Sequence, residues 1–439
     1  MDTLEIVGGT PLRGEIEVSG AKNVAMKVIL ASLLTDEPLI IHNVPTIVSV
    51  LGTTKIVAPL GVEVQHNDHT LTLHAKQLTQ HAVPLELGGL YRTAPMVMGP
   101  LLARLGKAVV PNPGGCRLGK RPIDRHIEAL EQMGAQVTYK DGFFYAHGKL
   151  KPTTIRFPKN THTGTETVLL AAVLTQGTTV IENAAEEPEV DDLIGLLVQM
   201  GADIQRNARR IVINGVEKLK GTEYRIMPDR NEVVTYAVAA IATGGDIRVK
   251  GTQKQHLTAF FKALEDAGAG FEDMGNETVR FYKRGPLQKT DVTTSQHPGF
   301  MTDWQAPWAV LMTQAQGSST IHETVFESRF SYVSELKKMG AHIEFYQPSV
   351  KNPQDVYNFN LNDKSDVCQA IRITGPKKLH DGVVEITDLR AGATLVVAAL
   401  AASGKSILHG VDHIDRGYEA FDTRLRQLNA SIQRLKEDI

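Results

Sequence analysis

One short phrase returns six times along this chain: a non-polar residue, Gly-Ala or a relative, any residue, then Val, Ile or Phe. It reads Leu60-Gly61-Val62-Glu63-Val64, Met133-Gly134-Ala135-Gln136-Val137 and Met200-Gly201-Ala202-Asp203-Ile204. It returns as Ala267-Gly268-Ala269-Gly270-Phe271, Met339-Gly340-Ala341-His342-Ile343 and Leu428-Asn429-Ala430-Ser431-Ile432. The copies lie about seventy residues apart, which marks one supersecondary unit used repeatedly. Such a chain stacks like units, and a site belongs where their corresponding ends gather.

Each repeat has the same grammar. It opens with a helix that is apolar nearly all round, hence buried: Ala21–Leu34, Arg92–Leu105, Gly164–Thr175, Asn231–Thr243, Trp304–Ala315 and Leu389–Ala402. A strand follows, such as Leu39-Ile40-Ile41-His42 or Ile407-Leu408-His409. Next comes an amphipathic helix, as in Val190–Met200 or Tyr332–Met339, ending at the Gly of the phrase. Most repeats close with a hairpin, for instance Gln136–Tyr139 and Phe143–His147 around Asp141-Gly142. The expected fold is α/β (α+β), a two-domain, inside-out barrel-like arrangement with buried helices surrounded by sheets and outer helices. Six repeats exceed one core, so they divide three and three. The seam falls near Asp229, giving one domain over 22–229 and a second over 1–21 with 230–439, the strand Glu5–Val7 joining the second. The fifth repeat carries about twenty extra residues, near 347–366, rich in Asn, Asp, Lys and Pro, which read as a surface insertion.

Composition excludes several classes. A net charge of −2 gives no global field toward nucleic acid or acidic membrane. Met1-Asp2-Thr3-Leu4-Glu5 lacks a secretory pattern, and the longest apolar stretches are too short to span a bilayer. Two cysteines, Cys116 and Cys368, make no disulfide framework and no metal-ligand spacing. A cytoplasmic protein without metal or cofactor is expected.

Helix N-termini favour negative charge. Here Lys22, Arg92, Arg230 and Arg390 open inner helices instead, which makes sense if an anion lies between cation and helix end. The bland alternative is a side chain that bends into solvent. Thr163-Gly164-Thr165-Glu166 and Asp229-Arg230-Asn231-Glu232 resemble capping boxes. The loop Pro111-Asn112-Pro113-Gly114-Gly115-Cys116 runs into Arg117, Lys120 and Arg121, and cations so close favour a reactive thiolate. An incidental surface cysteine is the other reading; Cys368, which lacks such surroundings, is read as structural or incidental. Asp303 caps a helix or accepts a proton. Arg329 forms a surface ion pair or faces the same edge, and His413 to Tyr418 occupies the matching place in the last repeat. Gly404-Lys405-Ser406 is no phosphate loop, because the upstream glycine is replaced by Ala399 and the order is helix to strand.

With these residues in view, the chain resembles the enolpyruvyl transferases over nearly its whole length. The resemblance rests on Ser19-Gly20-Ala21-Lys22-Asn23, on the Pro113-Gly114-Gly115-Cys116 loop ending Arg121-Pro122-Ile123-Asp124, and on Ile181-Glu182-Asn183-Ala184-Ala185. It rests also on Pro228-Asp229-Arg230, Thr302-Asp303, Phe326-Glu327-Ser328-Arg329-Phe330, Thr387-Asp388-Leu389-Arg390 and His413-Ile414-Asp415-Arg416-Gly417-Tyr418. The cysteine points to the cell-wall branch, since the related shikimate-pathway synthase lacks it. The resemblance implies two domains closing over phosphoenolpyruvate and UDP-N-acetylglucosamine, with no metal, in the first committed step of peptidoglycan synthesis, the step that fosfomycin blocks. It implies that Lys22, Arg121 and Arg416 hold the phosphate region of phosphoenolpyruvate, Arg329 and Arg390 its carboxylate side, with Asn23 and Arg92 in support. It implies Asp303 as acceptor of the sugar hydroxyl proton and Cys116 as the acid that protonates the methylene carbon. The nucleotide sugar would meet Arg121, Pro122, Ile123, Asp124, Arg125, Lys159, Thr161, Thr163, Gly164, Asp303 and Val325.

The chain departs from the family's usual pattern at Ser49, where an acidic residue is usual. It departs again at Thr161-His162-Thr163-Gly164-Thr165, where Ser-Val-Gly-Ala-Thr is usual. Three readings stay open: the cell-wall reaction, enolpyruvyl transfer to another nucleotide or hydroxyl acceptor, and a catalytically silent nucleotide-binding paralogue.

Overall fold

The computed structural model describes residues 2–91, 93–113, 123–359 and 368–436. The chain divides into two compact units. Lobe one comprises the described residues of Gly20–Cys116 and Arg121–Met227, and lobe two those of Met1–Ser19 and Pro228–Ile439. The backbone crosses between them at Ser19–Gly20 and at Met227–Pro228. Each lobe has its own apolar core.

Three inner helices sit in lobe one, α1 (Lys22–Ala31), α2 (Met98–Leu105) and α3 (His162–Ala172). Three sit in lobe two, α4 (Arg230–Ala242), α5 (Gln305–Met312) and α6 (Leu389–Ala401). Their apolar sequences bury most of each helix, and α4 is buried over its whole length. α2 is shorter than its apolar run predicts. A 3₁₀ turn, Ala94–Val97, precedes it with Pro95 near its start, and Pro100 falls in the first turn of α2, where no backbone donor is needed. A similar turn, Thr302–Trp304, precedes α5. Among the described residues no helix is long and apolar enough to cross a membrane.

The repeated phrase has one physical cause. Gly61, Gly134, Gly201, Gly268, Gly340 and Asn429 all have positive φ, from 66° at Asn429 to 110° at Gly61. That left-handed residue ends each outer helix, and asparagine tolerates it best after glycine. The next N–H reaches back over the helix end, as from Ala135 to Leu130 O at 3.0 Å and from Ala430 to Leu425 O at 3.1 Å. The residue before the glycine offers its carbonyl to the chain leaving the repeat: Met133 O accepts from Lys151 N and Met200 O from Lys220 N. Leu428 O, in the last copy, accepts from Arg13 N near the chain's start.

The sheets repeat this circular logic. Gly177–Glu182 pairs antiparallel with Arg210–Gly215 and parallel with Thr154–Arg156, which arrives from the preceding repeat. Lobe one closes on itself when Thr222–Arg225 runs parallel to Leu39–His42. Lobe two closes through the start of the chain: Arg13–Glu17 runs parallel to Asp246–Lys250. Thr3–Val7 inserts between Lys405–His409 and Ser431–Leu435, filling the place a hairpin strand holds elsewhere.

The expected hairpin around Asp141-Gly142 forms, with both residues at positive φ. In the fifth repeat His342–Tyr346 pairs with Ala370–Gly375, and the segment between them contains a short helix, Pro353–Val356. That segment is not wholly superficial, because Tyr357 is 3% exposed.

Candidate active site

In lobe two the chemistry gathers on Asp303. It lies in the turn before α5, with Oδ1 2.6 Å from Arg329 Nη2 and 3.1 Å from Arg390 Nε. Burial alone would raise the Asp303 pKa, but the guanidiniums of Arg390 and Arg329 overcome it and hold the carboxyl well below the usual carboxylate range. It does not hold the cap position that one of its two sequence readings gave it: Met301 is the N-cap of the turn and Trp304 that of α5.

The arginines are themselves held. Arg329 follows Ser328, which turns the chain at φ 54°. Its carbonyl accepts from Gln305 Nε2 at 3.0 Å, and Gln305 Oε1 accepts from the Tyr332 hydroxyl at 2.6 Å. Its guanidinium lies 5.4 Å from the Phe326 ring centre. Arg390 stands in the first turn of α6 behind the N-cap Asp388, which accepts from the Arg390 and Ala391 N–H groups. Arg390 Nη1 also donates to the Tyr418 hydroxyl at 3.3 Å, and that hydroxyl is 2.7 Å from Thr235 Oγ1. Thr302, Gln305, Arg329, Ser331, Asp388 and Arg390 line a small recess that opens to solvent. The arrangement presents two fixed guanidiniums beside one ionised carboxylate, a receptor for an anion next to a proton acceptor.

Arg416 rides on the same part of lobe two. It follows the helix Asp412–Asp415, whose Ile414 packs so closely on α6 that a Cβ at Gly392 would come within 2.8 Å of it. Two residues beyond Arg416 is Tyr418, already bonded to Arg390. Val325 donates its N–H to Glu323 Oε1 at 2.8 Å. Glu323 was not singled out from the sequence. It is fully buried, accepts also from Phe326 N and from Thr302 Oγ1, and so ties the Val325–Arg329 loop to the turn holding Asp303. Burial pushes its pKa up against these bonds. A signal existed: the place just after the central strand holds Asn43, Asn112, Asn183, Gly251 and Gly410 in the other repeats, and a carboxylate there is the odd one out.

Arg230 departs from the expectation of an anion at its helix end. It is 3% exposed, with Nη1 3.1 Å from His297 Nδ1 and its guanidinium 5.8 Å from the Trp304 ring centre. Its cation is absorbed by the lobe's own interior. The capping boxes also need correction. Asp229 caps α4 by accepting from Asn231 N, but Glu232 accepts from Ser19 N and Arg424 Nη1 rather than reaching back. Thr161, not Thr163, caps α3 by accepting from Gly164 N at 3.2 Å. Glu166 is instead buried between Lys27 Nζ at 3.2 Å and His162 Nε2 at 3.1 Å.

Lobe one carries the remaining candidates. Lys22 is the first residue of α1, and Asn23 beside it is half-buried. Gly20 is required just before them, since a Cβ there would fall 1.6 Å from Asn43 O. The two segments expected to meet the nucleotide sugar are brought together. Ile123 leads into the helix Asp124–Gln132, and Arg125 Nη1 donates to Asn160 O at 3.0 Å, next to Lys159 and Thr161. Burial draws the Arg125 pKa down, against the pull of Glu128 and Asp124. His126 bonds Thr163 Oγ1 at 3.0 Å and Thr167 Oγ1 at 2.8 Å. Gly164 supplies the capped N–H of α3. Arg92, Cys116, Arg121 and Pro122 lie outside the described residues. Cys368 is half-buried.

The sequence matches the EPSP synthase (3-phosphoshikimate 1-carboxyvinyltransferase) family over residues 6–425. A protein of Koribacter versatilis named UDP-N-acetylglucosamine 1-carboxyvinyltransferase is 42% identical over 443 residues, covering 100% of this chain and 97% of that one. One of Acidobacterium capsulatum with the same name is 41% identical over 441 residues, covering 99% and 96%. Among solved structures, the enolpyruvyl transferase NikO of Streptomyces tendae is similar with a TM-score of 0.87 at 25% identity, covering 100% of this chain and 99% of that one. EPSP synthase of Acinetobacter baumannii shares the fold, with a TM-score of 0.71 at 19% identity, covering 99% and 100%.

Proposed function

The chain belongs to the EPSP synthase family of enolpyruvyl transferases, and from that premise we propose that it transfers the enolpyruvyl group of phosphoenolpyruvate to the 3-hydroxyl of UDP-N-acetylglucosamine, releasing phosphate. This is the reaction of the relatives that match it end to end at about 40% identity, and it opens peptidoglycan synthesis. The observation that carries the site reading is Asp303 held between Arg329 and Arg390.

The chemistry needs an acid, a base and a cradle of cations. The Cys116 thiol gives its proton to the methylene carbon of phosphoenolpyruvate, leaving the neighbouring carbon open to attack. The sugar 3-hydroxyl adds there while Asp303 takes its proton. Loss of a proton from the new methyl group then expels phosphate and restores the vinyl ether. Arg329 and Arg390 hold the carboxylate of phosphoenolpyruvate; Lys22, Arg121 and Arg416 hold its phosphate, with Asn23 and Arg92 in support. Ile123 to Arg125, Lys159, Thr161 to Gly164 and Val325 hold the nucleotide sugar.

Phosphate release from phosphoenolpyruvate, assayed with UDP-N-acetylglucosamine and with other uridine nucleotides, tests the proposal. Release with the first acceptor is expected. Release only with another favours a different acceptor, the reading that the altered Thr161–Thr165 segment motivates. No release with any acceptor overturns catalysis. Cys116→Ala is expected to lose most turnover while keeping the fold, and fosfomycin is expected to add mass at Cys116. An added mass at Cys368 instead removes the acid from its place in the mechanism.

A further inference from the structure

The fifth repeat departs from the other repeats that close with their own hairpin at the spot where a departure has chemical consequences. In the first four repeats the hairpin turn is short, and a carbonyl at its far side accepts the N–H that follows the central strand. His69 O accepts from Val44 N at 2.9 Å, Gly142 O from Asn112 N at 2.7 Å, Arg209 O from Ala184 N at 2.9 Å and Glu277 O from Thr252 N at 2.7 Å. In the fifth repeat Gln369 O accepts from Glu323 N at 2.8 Å in the same way. The topology therefore sets every hairpin tip against the loop that leaves the central strand. In the fifth repeat that loop is the one bearing Val325 and Arg329, and its tip is where the extra segment enters.

The described part of that segment folds back on the loop. Asn358 N donates to Thr324 O at 2.8 Å. The Tyr357 hydroxyl is 3.1 Å from His322 Nε2, with the rings edge to face and their centres 5.5 Å apart. Tyr357 is 3% exposed, and Phe359 packs on it with ring centres 5.1 Å apart. Thr324 is pinned on its other side, because its N–H donates to Thr294 Oγ1 at 2.8 Å. Val325 N is fixed by Glu323. The backbone that enters the proposed acceptor contact is thus clamped between the ordinary repeat scaffold and the added segment.

We propose that Tyr357 and Asn358 are positioning residues for the nucleotide-sugar acceptor, setting the Thr324–Val325 backbone that meets it. The inference rests on the reading that Val325 contacts the acceptor. A small misplacement of a binding loop is felt by the ligand that touches it and not by one held elsewhere. Arg329 and Arg390, which hold Asp303, have their own anchors in Gln305 with Tyr332 and in Asp388. Tyr357 therefore governs the acceptor and spares phosphoenolpyruvate.

The test is steady-state phosphate release with each substrate varied in turn, for the full chain and for Tyr357→Ala, Tyr357→Phe and Asn358→Pro. Tyr357→Ala and Asn358→Pro are expected to raise KM for UDP-N-acetylglucosamine about tenfold, the worth of one well-made contact. KM for phosphoenolpyruvate is expected to stay within about twofold of the unsubstituted chain by the same scale. Tyr357→Phe, which keeps the ring on His322, is expected to recover most of the loss. Equal movement of both KM values, or movement of neither, overturns the proposal and leaves the segment a packing role. If Tyr357→Ala does not fold, Asn358→Pro decides between the same outcomes, with Tyr357→Phe as the folded control. Absence of phosphate release by the unsubstituted chain instead removes the underlying functional reading, so the two failures are told apart.

Discussion

Asp303 with two guanidiniums on it is a poor base, and that tension is informative. A carboxylate held so far below its usual range does not draw a proton from a sugar hydroxyl until something else occupies the arginines. The carboxylate of phosphoenolpyruvate is such a competitor, so donor binding would free Asp303 for its task. Asp303→Asn should cut turnover by about 10²–10⁴-fold, the usual worth of a positioned base. It should also lower the melting temperature, since it leaves two guanidiniums without their counter-charge. Phosphoenolpyruvate should then raise the melting temperature of the variant more than that of the parent, because it supplies the missing anion; an equal shift in both would separate the arginines from the donor site. His162 offers a pH test. Burial favours its neutral form, but Glu166 outweighs this, and the net effect is a raised pKa even with Lys27 opposing and Glu187 also near. A raised folded pKa stabilises the protonated state, so the contribution is full below the ordinary histidine value of about 6.5 and fades as pH rises through the folded pKa. Thermal melts across that window should show a pH-dependent loss that His162→Gln abolishes. The sequence displayed Asp303, Arg329 and Arg390 as candidates, but not that they bind one another. It hid the role of Glu166, because a Glu three residues after Thr163 reads as a capping residue until tertiary structure brings Lys27 to it.

The repeated phrase was legible at the scale of the element because only a narrow backbone state can end these helices. Positive φ selects Gly or Asn, and selection on conformation leaves a mark in sequence that burial alone does not. Gly201 isolates that cost: φ is 103° and a Cβ would meet nothing within 4 Å. Gly201→Ala should destabilise by about 1 kcal/mol through backbone strain alone. Asn429→Gly should be neutral or slightly stabilising. Chemical denaturation with an unchanged m-value would check both, and a stable Gly201→Ala would contradict the conformational account. The inner helices were legible from their unbroken apolar runs. Their starts were less so, since Thr161, Thr163 and Thr165 can each cap a helix and the choice fell to Thr161. Propensity cannot rank three like residues in five; the committed partners of His126 and Glu166 do.

At the scale of the molecule, strand pairing was the least legible feature, because the partner of a short strand lies hundreds of residues away. Glu5–Val7 was expected only to side with the second half, whereas the strand runs Thr3–Val7 and is an inner strand of the sixth repeat's sheet, between Lys405–His409 and Ser431–Leu435. Arg13–Glu17 likewise completes the fourth repeat's sheet. Lobe one has no such debt: its closing strand, Thr222–Arg225, lies within its own continuous stretch. The two lobes should differ in autonomy for this reason. A fragment of residues 20–227 keeps its whole core and should melt cooperatively by circular dichroism. A fragment of residues 228–439 loses the buried side chains of Leu4, Ile6, Leu12, Ile16 and Val18. At about 1.5–3 kcal/mol each, that removes roughly 8–15 kcal/mol of burial, which rivals the entire net stability of a domain at about 5–15 kcal/mol. It also bares two strand edges that pairing had satisfied. This fragment should therefore bind a hydrophobic dye and show no sharp transition until a peptide of residues 1–19 is added. A sharp melt of 228–439 without the peptide would mean that the N-terminal strands decorate lobe two and do not close it.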